Sequence, residues 1–94
     1  MSLDVRNNEA DQRYELLEEG TVIGIADYRP GDDHTLVFPH TEIASNRRGV
    51  GLGEQLVSAA LDDVRRRNYK VHPACWFVRE FMRDNPQYAD LRAD

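Results

Sequence analysis

The chain has 94 residues, 40% of them hydrophobic and 31% charged, with a net charge of −5. That composition fits one domain with one core and excludes a disordered or collagen-like chain. The charge is unevenly spread: residues 1–46 carry 3 Lys/Arg against 10 Asp/Glu, and residues 47–94 carry 9 against 7, which argues against a general nucleic-acid binder.

In chain order, residues 3–8 are a less clear strand, followed by a turn expected at Asn7-Asn8. Residues 12–18 and the β-branched run 21–29 read as strands joined by a Glu19-Gly20 hairpin turn. Pro30-Gly31-Asp32-Asp33 is a strong turn signal, and a third strand follows over 34–43. Short turns between these runs predict an antiparallel meander. Leu52, Leu56, Val57, Ala60, Leu61 and Val64 then fall on one face of a long helix. Arg65-Arg66-Arg67 suits its negative end, and Asn68 suits a left-handed stop. Residues 69–72 read as a further strand ended by Pro73. Residues 76–84 form a second, shorter helix, and a final turn lies over 87–91. The expected fold class is α+β, or mixed α/β: a meander, then strand–helix–strand, with the helices packed on the sheet.

No apolar run is long enough to span a bilayer. The start, Met1-Ser2-Leu3-Asp4, lacks the basic and apolar regions of a signal peptide. Cys75 is the single cysteine, so no internal disulfide is available. The expectation is a single cytoplasmic domain over 1–94, monomeric or weakly dimeric, with no metal, nucleic acid or membrane partner.

The most informative stretch is Arg47-Arg48-Gly49-Val50-Gly51-Leu52-Gly53, between a strand end and the long helix. A helix start offers unpaired N–H groups and a positive dipole end, glycines admit close backbone approach, and arginines add fixed charge. Together these read as an anion site suited to phosphate or pyrophosphate. The glycines run GxGxG with no Lys-Ser/Thr pair, so neither a nucleotide P-loop nor a dinucleotide fingerprint fits.

Residues 48–53 also match the Q/R-x-x-G-x-G/A signature of the Gcn5-related N-acetyltransferases (GNAT). The similarity extends over residues 27–67 and 70–91, with HTE before the glycine loop and P-x-C before the second helix. In these features the chain resembles the compact YjdJ-type group of that family. The resemblance implies a parallel strand pair splayed apart, with acetyl-CoA entering the splay. It implies cofactor binding by Ile43, Arg47, Arg48, Gly49, Val50, Gly51, Leu52 and Gly53. It further implies an oxyanion donor among the backbone N–H groups near Glu42 and Ile43, and an amine as the acetyl acceptor.

Two side chains are candidates for moving the protons. His40 has an ordinary pKa of about 6.5, suited to a general base. In a regular strand it shares a face with Leu36, Phe38 and Glu42, and a bulge at Pro39 would change that phase. Cys75, at the start of the second helix, is placed to protonate the departing thiolate or to accept the acetyl group itself. The joint assignment requires both to face the thioester. His72, three residues before Cys75, is a weaker candidate for tuning the thiol.

The sequence departs from larger family members in two ways. Trp76-Phe77-Val78 stands where they carry an acidic tyrosine, which shifts that role toward Cys75, and Tyr88 reads as packing for the last turn. The chain also lacks their C-terminal strands. The leading reading is an acetyl-CoA-dependent N-acetyltransferase; the alternative is a non-catalytic CoA-binding module. A basic interaction patch at Arg65–Arg67 is the weakest reading.

Overall fold

In a computed structural model that describes residues 2–47 and 51–93, five strands form one sheet in sequential order. They are β1 (Leu3–Asn8), β2 (Arg13–Glu18), β3 (Thr21–Pro30), β4 (Thr35–Ile43) and β5 (Lys70–His72). The first four run antiparallel as a meander, and β5 lies parallel to β4. The crossover between those two contains a 3-10 turn (Ser45–Arg47) and helix α1 (Leu52–Arg66). Helix α2 (Trp76–Asp84) and a second 3-10 turn (Pro86–Leu91) complete the chain. The expected elements are present, with differences at their ends: Gln12 and His34 lie outside the strands expected to include them, and Pro30 ends β3. Asn7 and Asn8 remain within β1, so the first turn falls at 9–12, where Gln12 takes the positive φ of 52°. Tyr69 lies outside β5.

Alternation explains the layers. Tyr14 and Leu16 of β2, Ala26 of β3, and Leu36 and Phe38 of β4 point to one face and are buried. The apolar stripe of α1, from Leu52 to Val64, covers that face, and Val78, Phe81 and Met82 of α2 join the same core. Tyr14, Tyr28 and Phe38 form an aromatic cluster with centroids 5.3–6.2 Å apart. Asn68 stops the helix with φ 61°, as its residue type suggests. No described helix is long and apolar enough to cross a membrane.

The opposite face has no helix. Two cross-strand rows run over it: Arg6–Glu15–Ile25–Glu42 and Asn8–Arg13–Asp27–His40. Glu15 is 1% exposed, the one buried charged residue among those described. Its carboxylate accepts hydrogen bonds from Arg6 Nε at 2.7 Å, Arg13 Nε at 2.8 Å and Asn8 Nδ2 at 3.1 Å. Burial alone would raise its pKa; these donors outweigh that and lower it from 4.5 to about 2.

Two irregularities interrupt the ladder. Ile23 is an extra residue of β3 between the pairs Leu16–Gly24 and Leu17–Val22. In β4, Phe38 and Pro39 together oppose Tyr28, between the pairs Val37–Arg29 and His40–Asp27. A proline lacks the N–H a ladder requires, so a bulge is a natural place for it.

Candidate functional site

The β4–β5 pairing covers only three residues of each strand, Thr35–Val37 against Lys70–His72. Beyond Val37, β4 runs on to Ile43 beside β3 alone, so one of its edges is left without a strand partner. A cleft of about 620 Å³ opens along this edge. His40, Thr41, Glu42 and Ile43 line one wall; Gly51, Leu52, Gly53 and Glu54 at the start of α1 line another. Arg47 and Phe77 complete the lining.

The helix start is built for close approach. Gly51 caps α1 with φ 74° and ψ 17° and, as a glycine, offers no side chain to the first backbone N–H groups. A Cβ at Gly51 would meet only the Glu54 carboxylate, at 4.0 Å, so its glycine serves the left-handed turn. Gly53 has a different reason: a Cβ there would lie 2.8 Å from Phe77 Cζ. Its absence lets α2 seat an aromatic ring against the first turn of α1. Arg47 sits in the cleft wall and is ion-paired to Glu18 of β2. Arg48, Gly49 and Val50, expected at the same loop, lie outside the described residues. The arrangement offers positive charge and N–H groups to an anion beside an apolar surface of Ile43, Leu52 and Phe77.

The β4 bulge decides where the candidate proton carriers point. Leu36 and Phe38 face the helices, and in a regular strand His40 and Glu42 would follow them. The additional residue reverses the phase. Thr41 pairs with fully buried Ala26 on the helix side, while His40 and Glu42 fall on the helix-free side. There His40 Nε2 lies 3.2 Å from Glu42 Oε1, and both side chains are exposed. Cys75 lies on the helix side: its N–H donates to Phe38 O at 2.8 Å, and its thiol lies 3.6 Å from Thr41 Oγ1. Cys75 and His40 therefore lie on opposite sides of β4, so the two do not converge as their joint assignment requires, and Cys75 is not among the residues lining the cleft.

The structure thus brings His40, Ile43, Arg47, Gly51, Leu52 and Gly53 to one cleft, with Thr41 between that cleft and Cys75. The sequence reading omitted Thr41, Glu54 and Phe77 from the site. For Thr41 the available signal was Pro39, whose demand for an irregular position inverts the two residues after it. His72 is exposed at the end of β5. Tyr88 is buried, with its hydroxyl 2.8 Å from Asp62 Oδ1 and 3.0 Å from Ser58 Oγ, so it braces the last turn against α1. Arg65, Arg66 and Arg67 are each ion-paired, to Asp90, Asp63, and Asp63 with Glu9, respectively. Among the described residues no three His, Cys, Asp or Glu side chains gather as metal ligands.

Comparison with known proteins agrees with this architecture. A protein from Staphylococcus aureus, solved by NMR and described as GCN5-like, superposes with a TM-score of 0.73 at 21% identity. The match covers 98% of this chain and 90% of that one. A GNAT family acetyltransferase from Elizabethkingia anophelis, crystallised with acetyl-CoA, superposes with a TM-score of 0.57 at 22% identity. Here 63% of this chain and 39% of that one are covered. Protein NATD1 of Bos taurus is 38% identical over 47 residues, and that of Xenopus tropicalis 35% over 52. These matches cover 50% and 55% of this chain, and 42% and 48% of those proteins' length. The family model described as GCN5-related N-acetyl-transferase matches residues 13–91, a span from the second strand through the last turn, and the chain belongs to that family.

Proposed function

We propose that this protein is an acetyl-CoA-dependent N-acetyltransferase acting on an amine. The observation that carries the reading is the separation of β4 from β5 directly opposite the start of α1. A slot beside a helix start with a glycine cap accommodates an extended chain ending in a pyrophosphate. Arg47, Gly51, Leu52 and Gly53, with the loop residues Arg48, Gly49 and Val50, would hold that pyrophosphate, and Ile43, Leu52 and Phe77 would flank the chain. Acetyl-CoA supplies an acyl carbon activated as a thioester. Backbone N–H groups near Glu42 and Ile43, on the β4 edge without a strand partner, serve as donors to the developing oxyanion.

With the two groups on opposite sides of β4, the joint assignment gives way to a division of labour. On the helix-free side, His40 takes the proton from the incoming amine, with Glu42 orienting its ring. On the helix side, Cys75 supplies a proton toward the departing sulfur. A cysteine nucleophile is commonly activated by a base within hydrogen-bond reach. The neighbour of the Cys75 thiol is a threonine hydroxyl, and His40 points the other way. This favours direct transfer to the amine over an acetyl-cysteine intermediate.

Isothermal titration with acetyl-CoA tests the binding half: saturable micromolar binding is expected, and no heat at high micromolar concentration would exclude it. The transfer half is read by mass spectrometry with acetyl-CoA and a panel of amines, including spermidine and a lysine-bearing peptide. An acetylated amine without an acetyl adduct on Cys75 is expected. Binding with no product, and no change on replacing His40 and Cys75 by alanine, would reduce the protein to a CoA-binding module.

A further inference from the structure

We infer that Thr41 is the group that connects Cys75 to the cleft, passing the thiol proton to the sulfur that leaves the acetyl donor. The inference rests on the acetyltransferase reading and adds a residue to it. Three observations converge on Thr41. The bulge at Phe38–Pro39 turns its side chain to the helix side, where its partner on β3 is Ala26. Its Oγ1 lies 3.6 Å from Cys75 Sγ, within reach of an S–H···O hydrogen bond. It also lines the cleft, and Cys75 does not. The thiol is held for this contact by a second attachment, the 2.8 Å bond from Cys75 N–H to Phe38 O, just past the point where β5 stops.

The proton balance is simple. The neutral amine nitrogen forms a C–N bond to the acetyl carbon, and the C–S bond breaks with its electron pair remaining on sulfur. That sulfur takes the Thr41 hydroxyl proton while Thr41 Oγ1 takes the Cys75 S–H proton. The proton lost by the new amide nitrogen leaves through His40 to solvent, and solvent restores the Cys75 thiol. No oxidant, reductant or metal enters the step.

The full chain is tested in two arms. The first uses no substrate: alkylation of Cys75 by iodoacetamide, followed by intact mass. The Thr41 hydroxyl is available to donate to a thiolate, so Thr41→Val slows alkylation by about threefold or more and Thr41→Ser stays within about twofold of wild type. An unchanged rate in Thr41→Val overturns the thiol–hydroxyl link, whatever the enzyme's turnover. The second arm uses acetyl-CoA with spermidine as the probe amine. Thr41→Val lowers kcat by roughly 100-fold, at the lower end of what a positioned proton donor contributes. Its KM for acetyl-CoA stays within about threefold, and Thr41→Ser recovers most of kcat because it keeps the hydroxyl. Cys75→Ala shows a similar loss, and the double variant loses no more than either single one. Losses that multiply in the double variant overturn the relay. Failure of the wild-type chain to bind acetyl-CoA by calorimetry would instead remove the acetyltransferase reading, and the alkylation arm still decides the Thr41–Cys75 link.

Discussion

Glu15 shows how much one side chain can demand of its neighbours. A carboxylate at 1% exposure is tolerated because three donors converge on it. Replacement by glutamine keeps the shape and removes the charge, so Glu15→Gln lowers unfolding stability by about 2 kcal/mol in urea melts. The pH dependence follows from the direction of the shift. The folded pKa, about 2, lies below the ordinary 4.5, so the stabilisation is fully present above about pH 5 and is lost as pH falls toward 2. Wild-type stability should fall through that window more steeply than that of Glu15→Gln. None of this was readable from RYELLE, where a glutamate between apolar residues looks like the solvent side of a strand. Its burial comes from Arg6 and Asn8, on a different strand, and only the cross-strand register aligns them.

At the scale of elements, the start of α1 gathers most of what the sequence disclosed. The glycine spacing marked the helix entry and the apolar period marked the helix, and α1 begins at Leu52 after Gly51, with Arg48, Gly49 and Val50 outside the described residues. What the spacing did not distinguish is the separate work of its glycines. Gly51→Ala meets only the end of the Glu54 side chain and costs about 1 kcal/mol for the left-handed backbone. Gly53→Ala drives a methyl into Phe77 and costs about 1–3 kcal/mol from overpacking. Because the displaced ring lines the cleft, Gly53→Ala also weakens acetyl-CoA titration more than Gly51→Ala does. A second tie, from Tyr14 Oη to Asp63 Oδ2 at 2.7 Å, fastens β2 to the far end of α1. Tyr14→Phe should cost about 1–2 kcal/mol by thermal melt, since Asp63 keeps Arg66 and Arg67 as partners. The parallel pairing of β5 with β4 came from the family resemblance, and the antiparallel meander was legible from turn residues. The phase of β4 after Pro39 was not, because period-2 reasoning holds only while a strand stays regular.

Across the whole molecule, the last turn carries more than its length suggests. Tyr88 and Leu91 are both buried against the helices. Arg92 bridges Val71 in parallel, and Ala93 N–H donates to Val71 O at 2.9 Å. Truncation after Asn85 removes both side chains and the apolar burial they contribute, at about 1.5–3 kcal/mol each. Against a typical domain stability of 5–15 kcal/mol, the truncated chain should show a markedly lower urea midpoint.

The same bridge has a geometric corollary for self-association. A sheet has two margins, and Arg92–Ala93 occupies part of the one at β5. Among the described residues, β1 is left as the one bare margin of full strand length. Two copies joined β1 to β1 would close around a two-fold axis with both long margins consumed. Such growth ends at a pair, whereas a sheet bare on both sides has no such stopping point.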